Sequence, residues 1–185
     1  MRGKKKYDLI FGIGAACSCT QALRKSKLQL ASYPLDWLFG SDFIGRVDFL
    51  ISEFKGFIEK SDLAFSFSNR SSSCDAYANK RTGIVFNHDF PGGVPLEESY
   101  PVVRAKYDRR IARLLNNIQR AKSVLVVYME TPETKQHTSN EEILCGWQKL
   151  KEKYSKDSGI QLLIFNKKFI FFPLIFVLKT CIFVR

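Results

Sequence analysis

A cysteine and a histidine brought together can attack a carbonyl carbon: the imidazole takes the thiol proton and the sulfur becomes the nucleophile. The best-placed cysteine of this chain is Cys17, at the end of Tyr7-Asp8-Leu9-Ile10-Phe11-Gly12-Ile13-Gly14-Ala15-Ala16-Cys17-Ser18. There an apolar strand gives way to a helix, whose unpaired first-turn N–H groups and dipole favour a thiolate. Gly12 and Gly14 are expected to turn the backbone tightly and leave the sulfur open, with Ala15 and Ala16 keeping the approach clear. The same junction also suits a buried structural cysteine, or an anion site to which Gly14 and Ser18 contribute.

The chain has two histidines. His88 stands in Asn87-His88-Asp89-Phe90-Pro91-Gly92-Gly93, at the end of a predicted strand; His137 is in the polar stretch 131–140. Asp89 and Asp36 are the carboxylates available to orient an imidazole, although Asp36, in Pro34-Leu35-Asp36-Trp37, also suits a turn cap. If the strands are parallel, their C-terminal ends share one edge, and a His88 nitrogen comes within about 4–6 Å of the Cys17 sulfur. Arg109 and Arg110, with Arg113, are candidates to meet an anionic substrate.

The elements that must position these residues follow from periodicity. Strands are expected at 7–14, 62–67, 83–86, 123–129 and 160–165. Helices are expected at 17–28, from a Ser41 or Asp42 cap through Phe43, Val47, Leu50, Ile51, Phe54 and Ile58, at 99–120, and from the capping box Ser139-Asn140-Glu141-Glu142. The Ser-rich stretch 69–80 reads as a loop. The resulting order predicts an α/β domain over residues 5–166, with a mostly parallel sheet flanked by helices. Residues 167–185 are an atypical hydrophobic tail without clear periodicity: a terminal strand, a membrane contact or an out-of-frame ending.

The chain of 185 residues is long enough for one domain with a real core, and its 16 phenylalanines predict that this core is aromatic. Five cysteines without Cys-x-x-Cys spacing, and only two histidines, argue against a disulfide scaffold or a structural zinc site, and no cofactor is expected. A reducing, cytoplasmic setting fits best. The formal net charge of +11 invites a nucleic-acid partner. The charge is dispersed, however, and no nucleic-acid motif accompanies it, so a solvated basic face is the simpler explanation.

Taken together, Tyr7-Asp8-Leu9-Ile10, Gly14-x-x-Cys17, Leu23-Arg24 and Tyr33-Pro34-Leu35-Asp36-Trp37 resemble the bacterial putative papain-like cysteine peptidase family, a domain of unknown function. Asn87-His88-Asp89-Phe90, the Arg109-Arg110 helix and the strand from Val124 to Tyr128 extend the resemblance over most of residues 5–166. Leu35 departs from it, standing where the family has an aromatic residue, and so does the tail. The resemblance implies Cys17 as nucleophile and His88 as base. The expected function is cysteine-dependent hydrolysis of a peptide, amide or other acyl substrate. Acyl transfer in surface polysaccharide synthesis, or a non-catalytic binding domain with Cys17 in its core, are the competing expectations.

Overall fold

A computed structural model describes residues 5–130, 138–154, 159–165 and 182–184. The first strand is interrupted at Asp8 into β1 (Lys5–Tyr7) and β2 (Leu9–Gly12). The Asp8 carboxylate accepts from the backbone N–H groups of Lys122 and Ser123 and from the Ser123 hydroxyl. This ties the strand to the start of β7 (Ser123–Met129). β2 runs parallel to β7, from Leu9 opposite Val124 to Gly12 opposite Val127, and β7 runs parallel to β8 (Gly159–Phe165). β1 pairs in parallel with β9 (Ile182–Val184), so the described part of the hydrophobic tail includes one short strand. Residues 166–181 lie outside the described residues.

The unbroken apolar run in β7 records burial on both faces. Val124, Val126 and Tyr128 enter the larger core together with Leu9, Phe11 and Ile13. Leu125, Val127 and Met129 enter a smaller core with Tyr7 and Ile10. Helix α1 (Cys17–Lys25) closes this smaller core with Cys19, Ala22 and Leu23.

The larger core lies between the parallel sheet, three helices and a second sheet. Helix α2 (Phe43–Ile51) is capped by Asp42, whose carboxylate accepts from the Gly45 N–H. It ends earlier than its apolar spacing suggests, because Glu53 and Phe54 take left-handed backbone angles of 54° and 63°. Phe54 and Ile58 still reach the core through the turns that follow. Helix α3 (Leu96–Arg120) presents Val103, Tyr107, Leu114 and Ile118. Helix α4 (Asn140–Tyr154) opens with the expected capping box: Glu142 N donates to the Ser139 hydroxyl, and Ser139 N donates to the Glu142 carboxylate. Edge-to-face contacts join Phe57, Phe86 and Tyr107, the arrangement aromatic rings prefer.

The second sheet corrects the expectation of a mostly parallel architecture. It is antiparallel, in the order β3 (Leu38–Phe39), β6 (Val85–Pro91), β5 (Cys74–Asn79), β4 (Leu63–Asn69). β5 falls in the stretch read as a loop. Its polar residues mislead because they serve backbone nearby. Asp75 accepts from Ser68 and from Gly93 N, and Asn79 accepts from the N–H groups of Arg81 and Thr82. β4 is an edge strand, with Phe65 and Phe67 exposed.

Candidate active site

Cys17 is the first residue of α1, after an extended Ala16. No side chain caps this helix, and its first turn carries no acidic residue, so its N–H groups keep their positive end toward the sulfur. The two glycines act differently from expectation. Neither has a left-handed backbone; both make room for the next turn of α1. A Cβ on Gly14 would lie 2.4 Å from Cys19 Cβ, and one on Gly12 would lie 3.0 Å from Cys19 Sγ. Gly14→Ala is therefore expected to force α1 off the sheet and to lower stability by roughly 1–3 kcal/mol, as overpacking does. Urea titration of the two proteins checks this; an unchanged midpoint would mean that the loop yields freely.

His88 arrives from the antiparallel sheet. In β6, Phe86 faces Tyr77 of β5 and Phe90 faces Asp75, so the single residue Ala76 lies opposite Asn87, His88 and Asp89. The surplus residues form a bulge, a device that re-aims side chains. Asn69 clamps it by donating to the Asn87 side chain at 2.8 Å. Asp89 anchors its far side: Lys106 Nζ lies 2.6 Å from one oxygen and the Tyr107 hydroxyl donates to the other at 2.9 Å. Between these two fixed neighbours, His88 projects into solvent.

The result places His88 Nε2 3.9 Å from Cys17 Sγ, within reach of a thiol–imidazole hydrogen bond. Cys17 is half-buried, and burial pushes its thiol above the ordinary value. Its own backbone N–H and the Arg46 charge oppose that shift, while the charges of Asp89 and Asp36 add to it. The helix start favours a thiolate, but burial outweighs it: the resting sulfur is held toward the protonated form, and a base is needed to activate it. Cys19, fully enclosed, is pushed up to about 12 and is inert by comparison.

Residues 8–168 match the family model described as "Putative papain-like cysteine peptidase". The chain belongs to this family. No curated protein and no solved structure matches it.

In this family member the other predicted site residues have varied surroundings. Asp36 is buried, accepting from Thr20 Oγ1 at 2.9 Å, Gln29 Nε2 at 2.5 Å and Tyr33 N at 2.7 Å. Burial raises its carboxyl to about 6. Among the described residues, no hydrogen bond joins the carboxylate of Asp36 or Asp89 to the His88 ring. Ser18 is half-buried and its hydroxyl has no hydrogen-bond partner among the described residues. Arg109 is exposed, whereas Arg110 stacks its guanidinium 5.2 Å from the Tyr107 ring centre. His137 lies outside the described residues.

Sequence reasoning missed Arg46 and Gln29. Arg46 sits three residues after Phe43 and four before Leu50, inside the apolar stripe of its helix, and a charge there was the available signal. Gln29 gave no such signal; it joins the Asp36 cluster to β2 by accepting from Gly12 N. A cleft of about 870 Å³ opens beside the Cys17 loop, lined among others by Ala15, Phe39, Asp42, Thr82, Gly83 and Tyr128. Among the described residues no group of three His, Cys, Asp or Glu side chains is placed to hold a metal, and no helix is long and apolar enough to cross a membrane.

Proposed function

We propose that the protein is a cysteine-dependent hydrolase of peptide or amide bonds, with Cys17 as nucleophile and His88 as its base. The observation that carries this reading is the 3.9 Å approach of Nε2 to Sγ at an uncapped helix start. His88 takes the thiol proton as sulfur bonds to the carbonyl carbon. The oxygen gains the negative charge, facing the first N–H groups of α1. The tetrahedral adduct collapses, the carbon–nitrogen bond breaks, and the imidazolium returns the proton to the departing amine. Water, deprotonated by His88, then attacks the thioester; the carbon–sulfur bond breaks, the imidazolium returns the proton to sulfur, and a carboxylic acid leaves.

The pair works as a dyad in this scheme, with the bulge setting the imidazole position. The cleft lined by Ala15, two residues before Cys17, is the seat this reading assigns to the substrate. A cytoplasmic location suits a free thiol, which a reducing compartment preserves. If an amine or hydroxyl replaces water in the second step, the same acyl-cysteine supports acyl transfer.

The test is a panel of fluorogenic peptide amides and acyl thioesters, with and without added acceptors, followed by acid quenching and mass spectrometry. An acyl adduct on the Cys17 peptide is expected, absent in Cys17→Ser along with turnover. Turnover that survives Cys17→Ser, or an adduct confined to Cys74 or Cys145, sinks the proposal.

A further inference from the structure

Cys17 opens the helix that follows parallel strand β2, His88 stands in the antiparallel sheet, and one side chain ties the two regions together. Arg46 is fully buried on α2. Its Nη1 donates to Gly14 O at 2.5 Å and lies 3.5 Å from Ile13 O. Its Nη2 donates to Gly40 O at 2.7 Å and to Leu38 O at 3.2 Å, and Nε also donates to Gly40 O at 3.2 Å. Ile13 and Gly14 continue from β2 into the Cys17 loop. Leu38 belongs to β3 and pairs directly with Phe86 of β6, two residues before His88. No carboxylate pairs with this guanidinium among the described residues. A planar fork with five donors suits such a set of carbonyls, and a lysine head group cannot cover it in the same way.

We propose that Arg46 is a positioning residue that holds Cys17 against His88 and, as a buried cation, sets the ionisation of the Cys17 thiol. This rests on the dyad proposed above. The groups facing Cys17 are His88 and Asp89 from β6, Asp36 from the turn after α1, and Arg46. Those facing Arg46 are Tyr128 of β7, Cys17 and Cys19 of α1, and Asp42 at the start of its own helix. Arg46 is the cation of the set. Burial draws it down only to about 10, so it stays charged at neutral pH. Among the described residues no ion pair ties up this charge, and it favours thiolate over thiol.

The experiment measures the pH midpoint of iodoacetamide alkylation at Cys17 by peptide mass spectrometry, with exposed Cys145 as internal reference. It compares wild type, Arg46→Gln and Arg46→Lys in a stabilising osmolyte, with folding judged by near-UV circular dichroism. In Arg46→Gln the midpoint is expected to rise by roughly one unit. In Arg46→Lys, which keeps the charge, it is expected to stay within a few tenths of wild type while the melting temperature falls. A folded Arg46→Gln with the wild-type midpoint overturns the proposal. So does a folded Arg46→Lys whose midpoint rises by about a unit. If Arg46→Gln stays unfolded, the lysine variant decides alone by the same criteria. The readout needs no substrate, so an absence of hydrolase activity and a failure of this assignment are separate results.

Discussion

Replacing Asp36 with alanine is expected to lower unfolding stability by about 3–5 kcal/mol, the range for leaving buried hydrogen-bonding groups without their charged partner. The carboxylate gathers donors from Thr20 of α1, from Gln29, and from the Tyr33 backbone. Through Gln29 the same cluster reaches Gly12 at the end of β2. Its loss strands these groups inside the protein and loosens the seat of Cys17. Asp36→Asn keeps the shape and some of the bonds, and is expected to be milder. The two variants also differ from wild type in pH response. The folded-state value of about 6 exceeds the ordinary 3.8, so the protonated carboxyl is the form that folding favours. Its contribution is complete below the unfolded value and fades as pH rises through about 6. It amounts to roughly 2–3 kcal/mol across that window. Urea titrations at pH 4.5 and pH 7 are therefore expected to show wild type losing stability relative to Asp36→Asn as pH rises. Parallel profiles would show that the carboxylate is ionised without penalty.

His88→Ala is expected to lower kcat/KM for any amide the protein hydrolyses by about 10²–10⁴-fold, the usual contribution of a general base. Stability is expected to stay within about 0.5 kcal/mol of wild type, since the ring is exposed and its only partner among the described residues is the Cys17 sulfur. The dependence on this residue is sharpened by the raised Cys17 value. With burial holding the proton on sulfur, little thiolate exists at neutral pH without a neighbouring base. Alkylation of Cys17 at pH 7 is expected to slow in the same variant. Equal activity in wild type and His88→Ala removes His88 from the chemistry, whatever its distance from the sulfur.

Most elements of the parallel sheet were legible, because burial on both faces leaves an apolar run such as Val124 to Tyr128 with little ambiguity. The box at Ser139 and Glu142, and the cap at Asp42, were legible for a local reason: their partners lie three residues away. The antiparallel sheet was not. Asp75 and Asn79 are polar inside a strand because turn backbone elsewhere uses their side chains, and that use leaves no periodic trace. The position of His88 at the end of an apolar run makes it legible as a partner for Cys17, but through a common edge of parallel strands; in the fold a bulge in an antiparallel strand turns it toward Cys17 instead. The partners of Asp89 were hidden as well: Lys106 and Tyr107 stand on α3, and nothing in the spacing of residues 89, 106 and 107 announces that contact.

The proposed nucleophile and base belong to separate halves of the hydrogen-bonded framework: Cys17 opens the helix that follows a parallel strand, and His88 stands in an antiparallel strand. Neither sheet's own ladder fixes the gap between them; side-chain contact across the interior does. Small slippage along that internal seam, from warmth or from a vacancy left by trimming a core residue such as Phe43, widens the gap while both ladders stay intact. Under the proposed dyad, catalytic competence is expected to report on a looser layer of order than backbone structure does, and on heating to fade at temperatures where far-UV circular dichroism still registers a folded chain.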